Sequence, residues 1–389
     1  MYNPCTSCVY KCIFFSFKKL PFLAILKYMN ENLRAHMEKI EQKLDQALKM
    51  DFSTAWQDSS FGPLSDAINS NKSFIQNLIE PNKTLIDLGG KRWRPLFLIL
   101  CYQLAQKLDD DTRTTHNDSS TAPLPLDTAY ALTPLVEFVH TASLIHDDIE
   151  DSADLRRGKP AAHITYGLDT ALNAASWLYF EAPVCLNQLD LTDQQRLTFY
   201  KLYTNELRRL HLGQAMDIYW HRNKQIFPTM DEYRAMVQNK TGTLASLAAK
   251  IGFIAGGADH KTAEKYGQIA AQIGVGFQII DDVINLTDGN PGKKRGDDIV
   301  EGKKSLPVLL HLQQKPQDKD KICSLMEIAG KEGIDSPAVE ECIALLNTSS
   351  CIKDAAEEGK RLIATNCAQF AREPLITELF NSMIPEKFR

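Results

Sequence analysis

Asp147, Asp148, Glu150 and Asp151 place four carboxylates in five positions of the stretch SLIHDDIEDSADLRRGKP, and Arg156 and Arg157 follow at once. On a helix, Asp147 and Asp151 stand four apart and Asp148 and Asp151 three apart, so their charges crowd one face. The apolar TASLI before them argues for burial, where unpaired charge costs more. A hard divalent cation answers both problems. Magnesium takes oxygen ligands, keeps several waters and is commonly shared between carboxylates and substrate phosphates. The plain alternative is an exposed acidic helix end.

The arrangement recurs. In FQIIDDVINL, Asp281 and Asp282 follow Phe277, Ile279 and Ile280, and Asn285 stands where the first cluster has its last aspartate. Two acidic pairs on two apolar helices predict helices that face each other across a cavity with metal ions between them. Cations complete the pattern. GGKRWRP sets Lys91, Arg92 and Arg94 at the start of a helix, where positive charge opposes the macrodipole unless an anion sits there. Arg156 and Arg157 follow the first acidic cluster, and Lys294 and Lys303 the second. Metal on one side and Arg or Lys on the other is the arrangement a diphosphate requires. Other chemistry finds no support: there is no HExxH, no nucleophile motif, and GDDIVEGKKS has the wrong glycine spacing for a phosphate loop. His146 is expected to support its neighbours rather than to be a ligand.

The elements that must position these residues read as helices. NLRAHMEKIEQKLDQALK spaces Leu33, Met37, Ile40, Leu44 and Leu48 three or four apart, one apolar stripe. RPLFLILCYQLAQKL is predicted to start at Pro95. AYALTPLVEFVHTASLIHDDIED is predicted to be one long central helix, with LAAKIGFIAGGA, YGQIAAQIGVGFQIIDDVINL and AVEECIALLN as further helices. Alternating strand patterns are missing, so the predicted fold class is all-α. Residues 107–127 and 287–298 carry the polar residues, glycines and prolines of loops. With no interdomain linker or repeat, residues 30–389 are expected to form a single domain.

With 44 basic and 49 acidic residues, net −5, the chain has no global field suited to nucleic acid or to an anionic membrane. Nine mostly scattered cysteines suit a reducing cytosol better than a disulfide framework, so a cytoplasmic location is expected. Residues 1–28 hold an apolar run cut by Lys18, Lys19 and Pro21, too broken to span a bilayer; they are expected to be a non-native or disordered extension ahead of Met29. No integral membrane segment is expected.

In sequence order, GGKRWRP, HTASLIHDDIEDSADLRRGKP, GQAMD, NKTGTLASLA, GFQIIDDVI and GDDIVEGKKSLP resemble the trans-isoprenyl diphosphate synthase (polyprenyl synthetase) family. The resemblance implies a helical bundle around a deep central cavity, three magnesium ions per site and a homodimer. It implies an enzyme, a prenyltransferase that joins isopentenyl diphosphate to an allylic diphosphate. Asp147, Asp148, Asp151, Asp281 and Asp282 would serve the metals. Arg156, Lys240 and Lys294 would hold the allylic diphosphate, with Lys303 nearby, and Lys91, Arg94, His140 and Arg157 the isopentenyl diphosphate. Thr241 and Gln278 would face the developing cation, with Gln214 and Asp217 behind. The small Ala142 and Ser143 leave the cavity without the floor of short-chain members, which implies a product beyond fifteen carbons, unless Phe138, Trp177 or Phe180 closes it. Asn285 and the missing AGD in LNAASWLYF depart from the family pattern. Asn285 is expected to reduce metal affinity rather than abolish activity, while the missing AGD keeps open a non-catalytic partner subunit; a terpene cyclase, which shares the fold and first motif, is the other alternative.

Overall fold

The computed structural model describes residues 31–50, 52–69, 71–112, 122–289 and 294–385. The N-terminal stretch 1–28 lies outside the described residues, as do 113–121 and 290–293 of the two expected loops. The described chain is almost entirely helical, as its sequence predicts, and gathers in two compact units. The first takes residues up to 99 together with 126–191, and the second residues 100–125 together with 192 onward.

The first unit contains α1 (Glu31–Ala47), α2 (Ser73–Asp87), the start of α3 (Trp93–Thr112), α4 (Pro134–Glu150) and α5 (Leu168–Glu181). The predicted stripe of α1 is buried along its whole length. Leu85 of α2, Ile145 of α4 and Ala171 and Ala175 of α5 form a compact apolar contact that fixes α4 between its neighbours. α3 starts two residues before Pro95, which is tolerated there because first-turn N–H groups have no intrahelical partner. The helix then runs on to Thr112, into the expected loop. The long central helix is divided: Leu126–Ala131 ends in a tight turn before α4 begins at Pro134. Pro134 has no N–H to give the Tyr130 carbonyl four residues back, and the Thr133 hydroxyl donates to that oxygen instead, at 2.7 Å.

Two residues of GGKRWRP therefore have opposite fates. Arg92, held at φ 46°, is buried and donates to Glu41 Oε1, Glu137 Oε1 and the Ile86 carbonyl, each at 2.6 Å. It ties α1, α2 and α4 together, and three acceptors satisfy the charge that burial would otherwise leave exposed to low dielectric.

The second unit holds α6 (Asp193–Arg222), α7 (Met230–Val237), α8 (Thr243–Ala255), α9 (His260–Thr287), α10 (Leu306–Gln314), α11 (Lys319–Glu332), α12 (Pro337–Leu346), α13 (Cys351–Cys367) and α14 (Pro374–Met383). α9 is long and apolar enough to cross a membrane, but two-thirds of its most apolar window (67%) is buried, as in a core helix. It crosses α13 at close range: a Cβ on Gly276 would meet Ile363 Cγ1 at 2.7 Å. The six cysteines among the described residues are all free thiols.

One buried acid in the first unit is not accounted for by any motif. Glu181, at the end of α5, accepts from Ser60 at 2.7 Å while Phe61 stacks on Trp177. Burial pushes its carboxyl up to about 7, against the Ser60 hydrogen bond that favours the ionised form. The folded state thus keeps a proton that the unfolded chain releases near pH 4.5, so stability falls as pH rises from about 4.5 to 7. Melting temperatures across that range should drop in the native protein relative to Glu181→Gln. Parallel curves would mean that the carboxyl is solvated.

Candidate functional site

α4 ends in its acids, with Asp151 as C-cap donating its N–H to the Asp147 carbonyl. Negative charge at a helix C-terminus opposes the macrodipole, so this end requires cations. Part of the answer is a hairpin whose strands are too short to show a period in the sequence. Leu155–Arg156 pairs with Lys159–Pro160 through a two-residue turn in which Arg157 and Gly158 have φ of 53° and 73°. Positive φ at both positions is the turn whose twist suits a tight hairpin. RG at its centre was the signal.

The hairpin aims Arg156 back at α4. Its guanidinium grips Asp148 through Nε, at 2.8 and 3.1 Å to the two carboxylate oxygens, and through Nη2. Asp148 is 1% exposed. Asp147 and Asp151 are half-buried. Successive residues on a helix point about 100° apart, so Asp147 and Asp148 cannot share a face. Asp148, expected among the metal ligands, is turned to Arg156. His146 is also turned aside, with Nδ1 donating to the Ala142 carbonyl (2.9 Å), Nε2 near Ser176 (3.3 Å) and its ring stacked on Tyr179.

A basic cluster lies in the same unit. Arg94 Nη1 donates to His140 Nε2 at 3.3 Å, which leaves the imidazole proton on Nδ1. Burial first, and then Arg94, Arg157, Arg92 and Arg156, hold His140 well below the usual histidine range, so it is neutral at pH 7. Burial, together with the neighbouring arginines, lowers Arg94 and Arg157 to about 10 against the pull of Glu137. Arg157 also donates to the Leu85 carbonyl at 3.2 Å, and Gly90 has no side chain where its guanidinium passes: a Cβ there would meet Nη2 at 3.0 Å. Arg94 Nε is buried with no acceptor. A buried cationic donor among like charges is the feature that an anion would satisfy. Lys91, also expected here, is exposed at the head of α3.

The second unit builds its cluster on an irregular turn. Residues Gln238–Gly242, between α7 and α8, form a π-helical turn, a geometry frequent at functional sites. It projects Lys240 and Thr241. Lys240 Nζ donates to Asp217 Oδ2 of α6 at 2.7 Å. Burial raises the Asp217 carboxyl, but Lys240 and Lys303 outweigh it and hold it below the usual range. Thr241 donates to Gln278 Oε1 at 3.0 Å, and Gln278 Nε2 to Asp282 Oδ1 at 3.0 Å. Asp282 also accepts from the Tyr233 hydroxyl at 2.7 Å and the Leu306 N–H at 3.4 Å. Burial raises its carboxyl, and Asp281 beside it adds to that shift. The pattern of α4 is repeated: Asp282, expected among the metal ligands, is enclosed by protein donors, while Asp281 is exposed. Asn285 is also buried, accepting the Asp298 N–H on its side-chain oxygen at 3.3 Å and so fastening the following segment to α9. Lys303 lies near Asp298 (3.6 Å). Lys294 stands apart from the cluster in an exposed pair with Asp335, at 2.6 Å.

The two residues expected to set chain length also differ. Ala142 is fully buried, so a large side chain there would overpack the core. Ser143 is half-buried and lies one turn before Asp147 on the same face, its hydroxyl donating to the His140 carbonyl at 2.9 Å. Of the alternative floors, Phe138 is buried and Phe180 is exposed.

Among the described residues no three His, Cys, Asp or Glu side chains close into a ready-made metal cage. Magnesium takes one or two carboxylates beside waters and phosphate oxygens; Asp147 and Asp151 in the first unit are half-buried carboxylates of that kind, and Asp281 in the second is an exposed one.

Residues 75–346 match the polyprenyl synthetase family. The chain is 36% identical over 232 residues to geranylgeranyl pyrophosphate synthase 2 of Zymoseptoria tritici, covering 57% of this chain and 66% of that protein, just under two-thirds of its length. It is 34% identical over 274 residues to a short chain isoprenyl diphosphate synthase of Methanocaldococcus jannaschii, covering 70% of this chain and 77% of that one. Geranylgeranyl pyrophosphate synthetase from Pyrococcus horikoshii Ot3 shares the fold, with TM-score 0.71 and 23% identity over 94% of this chain and 99% of the other.

The π-helical turn rests on α6 at Gly213, where a Cβ would stand 2.3 Å from the Lys240 nitrogen. Backbone cannot rotate away as a side chain can. Gly213→Ala should therefore lose about 1–3 kcal/mol to overpacking, more than the ~1 kcal/mol that alanine returns in helix propensity. Urea unfolding measures it; unchanged or increased stability would mean that α6 does not press on the turn.

Proposed function

The chain belongs to the polyprenyl synthetase family, and from that premise we propose that it is a prenyltransferase. It would condense isopentenyl diphosphate with an allylic diphosphate to a trans-polyprenyl diphosphate. The observation that carries this reading is the basic cluster of Arg94, His140 and Arg157, with the buried Arg94 Nε lacking an acceptor, in the same unit as the acidic end of α4. One unit thus offers both halves of a diphosphate site. Relatives named for geranylgeranyl diphosphate support a product of twenty carbons or more. The partner-subunit and cyclase readings gain no support from them.

In this reading Asp147 and Asp151 in one unit, and Asp281 in the other, would hold magnesium, three ions in all, while Asp148 and Asp282 keep their protein donors. Bound magnesium supplies Lewis-acid neutralisation of the departing diphosphate. Lys240, Arg156 and Lys303 would add positive charge where the allylic C–O bond breaks, and Lys294 would have to leave its exposed pair with Asp335 to join them. Lys91, Arg94, His140 and Arg157 would hold isopentenyl diphosphate, with neutral His140 as a hydrogen-bonding group rather than a charge. The Thr241 hydroxyl and Gln278 amide oxygens would face the allylic cation as it forms. The isopentenyl double bond then attacks, and the proton lost from the adjacent carbon goes to the released diphosphate. No side-chain base is required. A homodimer is part of the proposal, supported by the exposed Leu168, Leu172 and Phe180 along α5. A cytoplasmic location is supported by the free thiols.

Labelled isopentenyl diphosphate, an allylic primer and magnesium should give an elongated product; no incorporation with any primer would overturn the reading. Asp147→Ala and Asp281→Ala should each lower turnover by at least about 10²–10³, the usual effect of removing one preorganised stabilising group. Circular dichroism should show the helices retained. Near-normal turnover in both would remove the metal site from these residues.

Product length should respond at Ser143. Ser143→Phe places a ring on the accessible face of α4 and should shorten the product by at least one isoprene unit, read by chromatography of the dephosphorylated alcohols. An unchanged product would take Ser143 off the path of the growing chain.

A further inference from the structure

Unit 2 contains a buried ionic cluster that the reaction does not use. Glu206 of α6, Thr243 and Lys250 of α8 are each 2% exposed. Lys250 Nζ bridges Glu206 Oε1 at 2.8 Å and Glu264 Oε2 of α9 at 2.7 Å, and Arg209 approaches the same Glu206 oxygen at 3.2 Å. The other Glu206 oxygen accepts the Thr243 hydroxyl. The lysine stem occupies space that only a glycine leaves: a Cβ on Gly267 would meet Lys250 Cε at 2.4 Å. Desolvating these charges is unfavourable, and apolar packing of similar volume commonly serves stability as well or better. The cluster therefore calls for an explanation other than stability.

Its position supplies one. Thr243 is the first residue of α8, directly after the π-helical turn that projects Lys240 and Thr241. α6 holds that turn at two levels. Towards its C-terminus, Gly213 packs on the Lys240 backbone and Asp217 pairs with the Lys240 side chain. Two turns earlier on the same face, Glu206 holds Thr243. A π-helical turn has one residue more per turn than the helix around it and would relax towards α-helix by rotating Lys240 and Thr241. A fixed hydroxyl at its far end resists that rotation.

We propose that Glu206 is a positioning residue: through Thr243 it fixes the π-helical turn so that Lys240 meets Asp217 and Thr241 meets Gln278. Lys250, balanced by Glu264, makes the buried Glu206 carboxylate tolerable. The inference rests on the prenyltransferase reading, with Lys240 and Thr241 serving the allylic substrate. The test is kinetic, on the full chain. Thr243→Val keeps the side-chain volume and removes only the hydroxyl. It should lower kcat about 10- to 100-fold, as small misplacements do, and raise KM for the allylic diphosphate while KM for isopentenyl diphosphate stays unchanged. Thr243→Ser should restore both. Glu206→Gln/Lys250→Met, which replaces the ion pair with an amide and an apolar chain, should keep most of the activity, because the amide oxygen still accepts from Thr243. The inference is overturned if Thr243→Val leaves all three constants unchanged. It is overturned equally if kcat falls only with the melting temperature, without movement of the allylic KM. Activity of the native protein is measured first: its absence defeats the functional reading, whereas an active native protein with an unaffected Thr243→Val defeats this inference alone.

Discussion

Two neighbouring aspartates on a helix cannot point the same way, and much of this protein follows from that constraint. At the end of α4 and again in α9, an Asp-Asp pair sends one carboxylate inward and leaves the other on the accessible side. The inward one would be an isolated buried charge, so each has been given donors: the Arg156 fork for Asp148, and Tyr233, Gln278 and the Leu306 N–H for Asp282. Apart from Gln278, which lies on α9 itself, those donors come from other elements and so tie each acidic helix to its surroundings. The hairpin that carries Arg156 also turns out Arg157, and the helix that carries Tyr233 leads into the turn that carries Lys240. Satisfying the buried member of each pair thereby fixes the elements that carry Arg157 and Lys240.

Cations divide in a similar way. Arg92 is surrounded by acceptors and holds helices together, while Arg94, two residues on, meets a neutral histidine and keeps one buried N–H unsatisfied. In a folded protein, an unsatisfied donor among like charges persists where something else completes it. The same residue type joins helices in one case and keeps a buried donor without an acceptor in the other. Only the count of acceptors distinguishes them.

Glycine packing sets the second unit. Gly213 lets α6 approach the π-helical turn, Gly276 lets α9 cross α13, and Gly267 admits the stem of Lys250. Each brings backbone or charge closer than an alanine would allow. The turn that projects Lys240 and Thr241 is thus held by several contacts around it.

The sequence by itself determined the helical class, because apolar residues recur at helical spacing and no alternating runs compete. It also showed the ordered motifs of the polyprenyl synthetase family, with two acid pairs each followed by cations. Apolar spacing predicts one continuous central helix because it does not register the missing N–H at Pro134. The hairpin leaves no periodic signal because its strands are two residues long. Tertiary structure decided which carboxylate of each pair turns inward, why Arg92 is not Arg94, and why Lys294 rests in an exposed ion pair with Asp335. It also decided that Ser143, not Ala142, is accessible. Each of these depends on which distant residue supplies an acceptor, a donor or free volume. Spacing along one chain carries the period of a helix, but not the identity of what packs against it.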